Sequence, residues 1–174
     1  NGIQSYSALA CIAIQANQNE MHGGQSVPNF DYAMAPGVAK TFRKEYFRAL
    51  AQFFRIRLGM SLEDARALCT AIRDGLETEL TIAGEEAYGR ALAQWLPAHQ
   101  RDGGYQPISP EESLEAHRGA VETALYETDR ATFQAMEAFI HNLNTMNSRA
   151  GAQVPFSSVN YGTDTSPEAR MVIR

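Results

Sequence analysis

The sequence predicts a mainly α segment of long helices packed like a bundle, with one or two short strands. Apolar residues recur at helical spacing over long stretches, most clearly through Leu114, Val121, Leu125, Thr128, Ala135, Phe139, Leu143 and Met146. Serine caps followed by acidic residues open helices at Ser61, Ser109 and Ser166. Convincing strand alternation is confined to residues 152–161.

In chain order, Ser5 to His22 carries Leu9, Cys11, Ile12 and Ile14 among polar residues, and Gly23-Gly24 suits the left-handed turn in which helices end. An extended SVPNF segment follows. Asn29 or Asp31 then opens a short helical turn, and Pro36 fits the first turn of a longer helix reaching about Leu58. That helix has a broad apolar face of Val38, Phe42, Phe47, Leu50, Phe53, Phe54 and Leu58, while Arg43, Lys44, Arg48, Arg55 and Arg57 read as a solvated face. Gly59 ends it, and Ser61, with Glu63 and Asp64 in the first turn, caps the next helix, which runs to Gly75. A further helix spans about Gly84 to Leu96, presenting Tyr88, Leu92 and Trp95, and residues 97–107 read as a loop.

Ser109-Pro110-Glu111-Glu112 combines a serine cap, proline at the first helical position and glutamate three residues beyond the cap, which is a capping box. The helix it opens reaches about Asn147, roughly 55 Å at 1.5 Å per residue, too long to be buried without a partner helix. The strand at 152–161 points Val154, Phe156, Ser158 and Asn160 one way and Gln153, Pro155, Ser157, Val159 and Tyr161 the other. Pro155 favours an edge or strand end, and the sheet partners are expected outside this chain. Ser166-Pro167-Glu168 opens a helix with only six residues after it, too few to bury a useful face, so the chain reads as a piece of a larger protein. The organisation is a single segment: N-terminal helices over 1–58, a helical middle and loop over 59–108, the long helix over 109–147, and strand plus helix start over 148–174.

With 174 residues, 44% apolar and 20% charged, the chain belongs among globular proteins. A net charge of −5 argues against a nucleic-acid binder, though a local lysine or arginine pair suffices for a small anion. Two cysteines, Cys11 and Cys69, make neither a disulfide framework nor a four-thiolate zinc site, and both sit in apolar helices as buried thiols do. No apolar run is long enough for a membrane span and no signal peptide is visible, so a cytoplasmic location and no membrane partner are expected.

HGGQS fits two readings, a backbone anion-binding turn and a plain helix cap. His22, His99, His117 and His141 lack metal-ligand spacing, and Ser157-Ser158 lacks a nucleophile elbow. Arg149, Gly151 and Gln153 at the mouth of the strand fit a ligand wall and a structural turn equally.

Two blocks, GGQSVPNFDYAMAPGV and HNLNTMNSRAGAQVPFSSVNYGTDTSPEAR, resemble the anaerobic, glycyl-radical (class III) ribonucleoside-triphosphate reductases. The first is similar to the family's glycine junction and APxV segment, the second to its junction from long helix to QxPF strand. The resemblance implies a parent with a ten-stranded α/β barrel, which reduces ribonucleotides to deoxyribonucleotides by glycyl and thiyl radical chemistry. In it, long helices pair across a homodimer interface that holds an allosteric nucleoside triphosphate. It implies Lys44 as an effector contact, and Gln153, Pro155, Phe156, Ser157 and Ser158 as substrate-side residues of a barrel strand. It assigns no catalytic residue here, Cys11 included, so the segment alone is expected to be inactive and to bind no cofactor or metal. The parent is expected to need a glycyl radical installed by an iron–sulfur, S-adenosylmethionine-dependent activase, and a structural zinc. Two other readings are a non-catalytic helical module for dimerisation and nucleotide binding, and a related glycyl-radical enzyme with another substrate.

Overall fold

A computed structural model describes residues 2–21, 23–99, 105–145 and 156–174. Among them, six helices and two three-residue strands follow in the order α1 (Ile3–Glu20), β1 (Gln25–Val27), α2 (Phe30–Leu58), α3 (Leu62–Gly75), α4 (Glu85–His99), α5 (Pro110–Thr145), β2 (Ser157–Val159) and α6 (Pro167–Val172). The segment is mainly α, as expected. It divides into two compact units: Asn1–Thr41 with Thr128–Arg174, and Phe42–Glu127.

The first unit is built on α1, the start of α2, the end of α5, both strands and α6. Ile3, Cys11, Ile14, Phe30, Met34, Val38, Ala135, Phe139 and Val172 form its core, with the Phe30 and Phe139 rings 4.8 Å apart. Helix α1 runs parallel to α5: the Ser7 hydroxyl donates to the Ala135 carbonyl (2.8 Å) and the Cys11 thiol to that of Phe139 (3.9 Å). Gly2 offers α1 no capping side chain, so the Thr41 hydroxyl accepts the Ile3 N–H instead, at 2.9 Å.

Strand β2 has its partner inside the chain. It pairs in parallel with β1 in the register Gln25↔Ser157, Ser26↔Ser158 and Val27↔Val159, which corrects the expectation that the sheet partners lie elsewhere. The alternation holds, with Ser157 and Val159 half-buried and Ser158 exposed. Residues 152–155 of the expected strand lie outside the described residues.

Three further expectations need correction. Helix α2 starts at Phe30 and runs through Pro36 without a break. Proline withholds the bond to the Tyr32 carbonyl, but the first turn is anchored from outside, since the Phe30 N–H donates to the Asn160 carbonyl at 2.8 Å. Helix α4 likewise continues past Pro97 to His99, whose ring stacks on Trp95 (4.0 Å) and whose Nδ1 donates to the Trp95 carbonyl. Short as it is, α6 buries Ala169 and Val172, because Ser166 caps it and fixes its approach to the core.

The second unit packs the rest of α2 against α3, α4 and the start of α5. Phe42, Tyr46, Leu50 and Phe54 descend one face of α2 at four-residue spacing and meet Ala65, Cys69 and Ile72 of α3, Leu92 and Leu96 of α4, and Ala116, Ala120 and Ala124 of α5. Both expected caps form. The Ser61 hydroxyl accepts the Asp64 N–H (3.1 Å), and Ser109 and Glu112 exchange two bonds of 2.9 and 3.1 Å. Arg57 pairs with Glu112, and Tyr46 with His117, so α2 and α5 are antiparallel here and α2 serves as the long helix's partner.

The polar centre of this unit is His117, 3% exposed. Its Nδ1 lies 2.9 Å from the Tyr46 hydroxyl and its Nε2 2.9 Å from Glu85 Oε2. The tautomer with its proton on Nε2 satisfies both partners: Nε2–H donates to Glu85, and Nδ1 accepts from Tyr46. Burial, with Tyr88 alongside, raises the Tyr46 phenol far above its ordinary value and keeps it a donor. Gly89 makes room for the ring, since a Cβ there would stand 2.5 Å from His117 Cδ2. Gly89→Ala therefore sets a helix-propensity gain of about 1 kcal/mol against overpacking and a disturbed polar chain of about 1–3 kcal/mol each. A net loss of about 2 kcal/mol is the expected outcome in chemical denaturation, and a stabilised variant would refute this role for the glycine.

Candidate functional site

In the first unit the two sequence blocks that carry the family resemblance meet at the strand pair. The Gln25 N–H donates to the Phe156 carbonyl (2.8 Å), and a Cβ on Gly24 would lie 3.2 Å from the Phe156 ring. Phe156 is 84% exposed, Ser158 is exposed beside Ser26, and Ser157 is half-buried. Gln153, Pro155 and the Arg149–Gly151 turn lie outside the described residues.

Asp31, which sequence reading offered only as a helix start, organises the chain after β2. Its side chain is fully buried. Oδ2 accepts the N–H groups of Gly162 (2.7 Å) and Asp164 (3.1 Å), while Oδ1 accepts that of Tyr32 (2.9 Å). Asn29, with φ of 53°, receives the Thr163 hydroxyl. Desolvation works against the Asp31 charge, but the backbone donors of Asp164, Gly162 and Tyr32 outweigh it and hold the carboxyl below its ordinary value.

The second unit contains a cleft of about 960 Å³. One wall is the face of α2 bearing Lys44, Arg48 and Gln52, and the other is the face of α3 bearing Leu62, Arg66, Thr70 and Arg73, both at spacings of three to four residues. Residues 76–80 and Arg43 also line it, together with the buried Tyr88 and Cys69. Five cations, Arg43, Lys44, Arg48, Arg66 and Arg73, face two carboxylates, Glu77 and Glu79, so the lining is positive in a chain of net charge −5. Three of the cations have partners: Arg43 pairs with Glu79, Arg48 with Glu45 at 2.7 Å, and Arg73 with Asp74 at 3.0 Å. Lys44 has only a 3.7 Å contact with Glu45, and its side chain is 77% exposed. Burial pushes the Cys69 thiol up to about 12, so it is no thiolate nucleophile.

Lys44 and the substrate-side residues belong to different units. Sequence reading put Arg43, Lys44 and Arg48 on a solvated face and passed over Arg66 and Arg73. Their spacing with Thr70, four and then three residues, was the signal available. Both cysteines are buried and free. Among the described residues no three His, Cys, Asp or Glu side chains come together as a metal would need. Two cysteines in separate units do not fit the four-cysteine zinc site that the resemblance implies for the parent. No helix of the described residues is long and apolar enough to cross a membrane.

The family model for anaerobic ribonucleoside-triphosphate reductase matches residues 1–174, and the chain belongs to that family. No curated protein matches it.

The Asp31 geometry generates a pH dependence. A carboxyl whose folded pKa lies below its unfolded value contributes stability that is fully present above the ordinary aspartate range, near pH 4, and is lost as pH falls through the folded value. Asp31→Asn should lower the thermal midpoint at pH 7 and flatten its decline on the acid side. An unchanged midpoint at neutral pH would remove Asp31 from this role.

Proposed function

We propose that the chain serves ribonucleotide reduction by holding an allosteric nucleoside triphosphate and one substrate-side strand, while the glycyl and thiyl radical steps fall to the parent enzyme and its activase. The observation that carries this reading is the cationic cleft with Lys44 on its rim. An exposed ammonium on the rim of a positively lined cleft is a suitable point charge for a phosphate, and the resemblance independently picks out the same lysine. For the strand, the proposed substrate wall comprises Gln153, Pro155, Phe156, Ser157 and Ser158. The exposure of Phe156 and Ser158 supports it, since side chains that would line a substrate space are free to do so.

A homodimer is part of the same proposal. Phe133 and Ile140 stand exposed on α5, seven residues apart on one face, as an interhelical seam requires.

Two measurements test these assignments in the intact protein. Lys44→Ala should weaken deoxynucleoside triphosphate binding about tenfold in calorimetry, the usual loss for one charge-assisted contact; equal affinity would remove Lys44 from the site. Replacing Phe133 and Ile140 together by glutamate should shift the sedimentation profile from dimer to monomer, and an unchanged profile would move the interface to another face.

A further inference from the structure

We infer that Ser26 is a substrate contact, standing beside Ser158 on the open face of the strand pair, and that this face takes the sugar of the nucleotide while Ser157 is turned away from it. The inference rests on the reading of β2 as a substrate wall. It adds a residue of β1 to that wall and chooses which side of it the substrate meets.

The two faces of the ladder differ in what covers them. On one, Val27 and Val159 pack into the first unit's core, and Gln25, the register partner of Ser157, accepts a hydrogen bond from the Asn17 side-chain amide of α1. Alternation puts Ser157 on this helix-covered side, where it is half-buried. The other face carries Gly24, Ser26 and Pro28 from one segment and Phe156, Ser158 and Asn160 from the other, and all six are exposed. The Phe156 ring lies 3.2 Å from where a Cβ on Gly24 would stand, so it extends across this face.

Chemistry points to the occupant. A face of a parallel sheet that helices cover reads as Val, Ile and Leu, as the Val27 and Val159 side does, whereas this one offers two hydroxyls and an amide beside an aromatic ring. Ser26 and Ser158 are register partners, which sets their Cα atoms about 5 Å apart across the ladder, close enough for both hydroxyls to reach one sugar. A serine hydroxyl both donates and accepts, as a sugar hydroxyl does, and the Phe156 ring supplies apolar surface for the carbon skeleton. None of the six residues is charged, so the neutral sugar, rather than the phosphates, is the part of a ribonucleotide that this surface matches. The backbone beneath is fixed as well. The Asn160 N–H donates to the Val27 carbonyl (3.0 Å) and the Phe30 N–H to that of Asn160 (2.8 Å), so the two serines keep their separation when a ligand arrives.

The test is equilibrium binding of a ribonucleoside triphosphate and of inorganic tripolyphosphate to the intact reductase, before radical installation and with its effector site saturated. Ser26→Ala and Ser158→Ala should each weaken the ribonucleotide about fivefold, the loss of one neutral hydrogen bond, and leave tripolyphosphate unchanged, while Ser157→Ala should alter neither. Thermal midpoints should stay at the wild-type value in Ser26→Ala and Ser158→Ala, because both residues stand in the open. Loss in Ser158→Ala with none in Ser26→Ala keeps the substrate wall and overturns the inference. Loss in Ser157→Ala alone overturns the choice of face, and an equal loss for tripolyphosphate overturns the sugar as the occupant. Unchanged affinity in all three variants removes the strand pair from the substrate site, so that the underlying reading fails with the inference and the open face is left to another part of the parent.

Discussion

A buried imidazole with both nitrogens committed is the constraint around which the second unit is arranged. His117 on α5 joins Tyr46 on α2 to Glu85 on α4 through two bonds of 2.9 Å, and the one to Tyr46 is buried, so no water replaces it if a helix slides. Apolar contacts tolerate small shifts, but this polar chain does not, so it sets the helices' register. Tyr88 packs against the same imidazole and is among the cleft's lining residues, so the cleft borders the structural core.

Local chemistry was the legible part of the sequence. The Ser61 cap, the Ser109–Glu112 capping box and the Ser166 opening depend on residues within four positions of each other, and all three formed where the pattern put them. Pro36 and Pro97 were misread because their effect on a helix is local while its compensation is not. An outside carbonyl, that of Asn160, anchors the turn before Pro36, and an aromatic stack bridges Pro97. The strand partner was missed for a similar reason. A three-residue strand such as QSV carries too little alternation to be recognised, and it becomes a strand only when β2 lies beside it.

The two regions that resemble the family turned out to be structurally coupled. QSV of the first block and SSV of the second form one parallel ladder, and the Asp31 of NFDYAM accepts the Gly162 and Asp164 N–H groups of YGTD. Their similarity to one family over both blocks therefore has a single physical basis. The cleft residues on α3 and α4 lie in the middle of the chain, where the sequence offered no such marker, and only the fold gathers them with Lys44 around one cleft.

The Asp31 bond to Gly162 spans 131 residues of chain. Closing a flexible loop of that length has an entropic cost of about 4 kcal/mol, more than a three-residue ladder returns by itself. The strand pair is thus a consequence of helix packing and cannot precede it. Since Phe42–Glu127 lies wholly inside that loop, the order of this inner block governs the closure entropy of a junction in which none of its residues takes part.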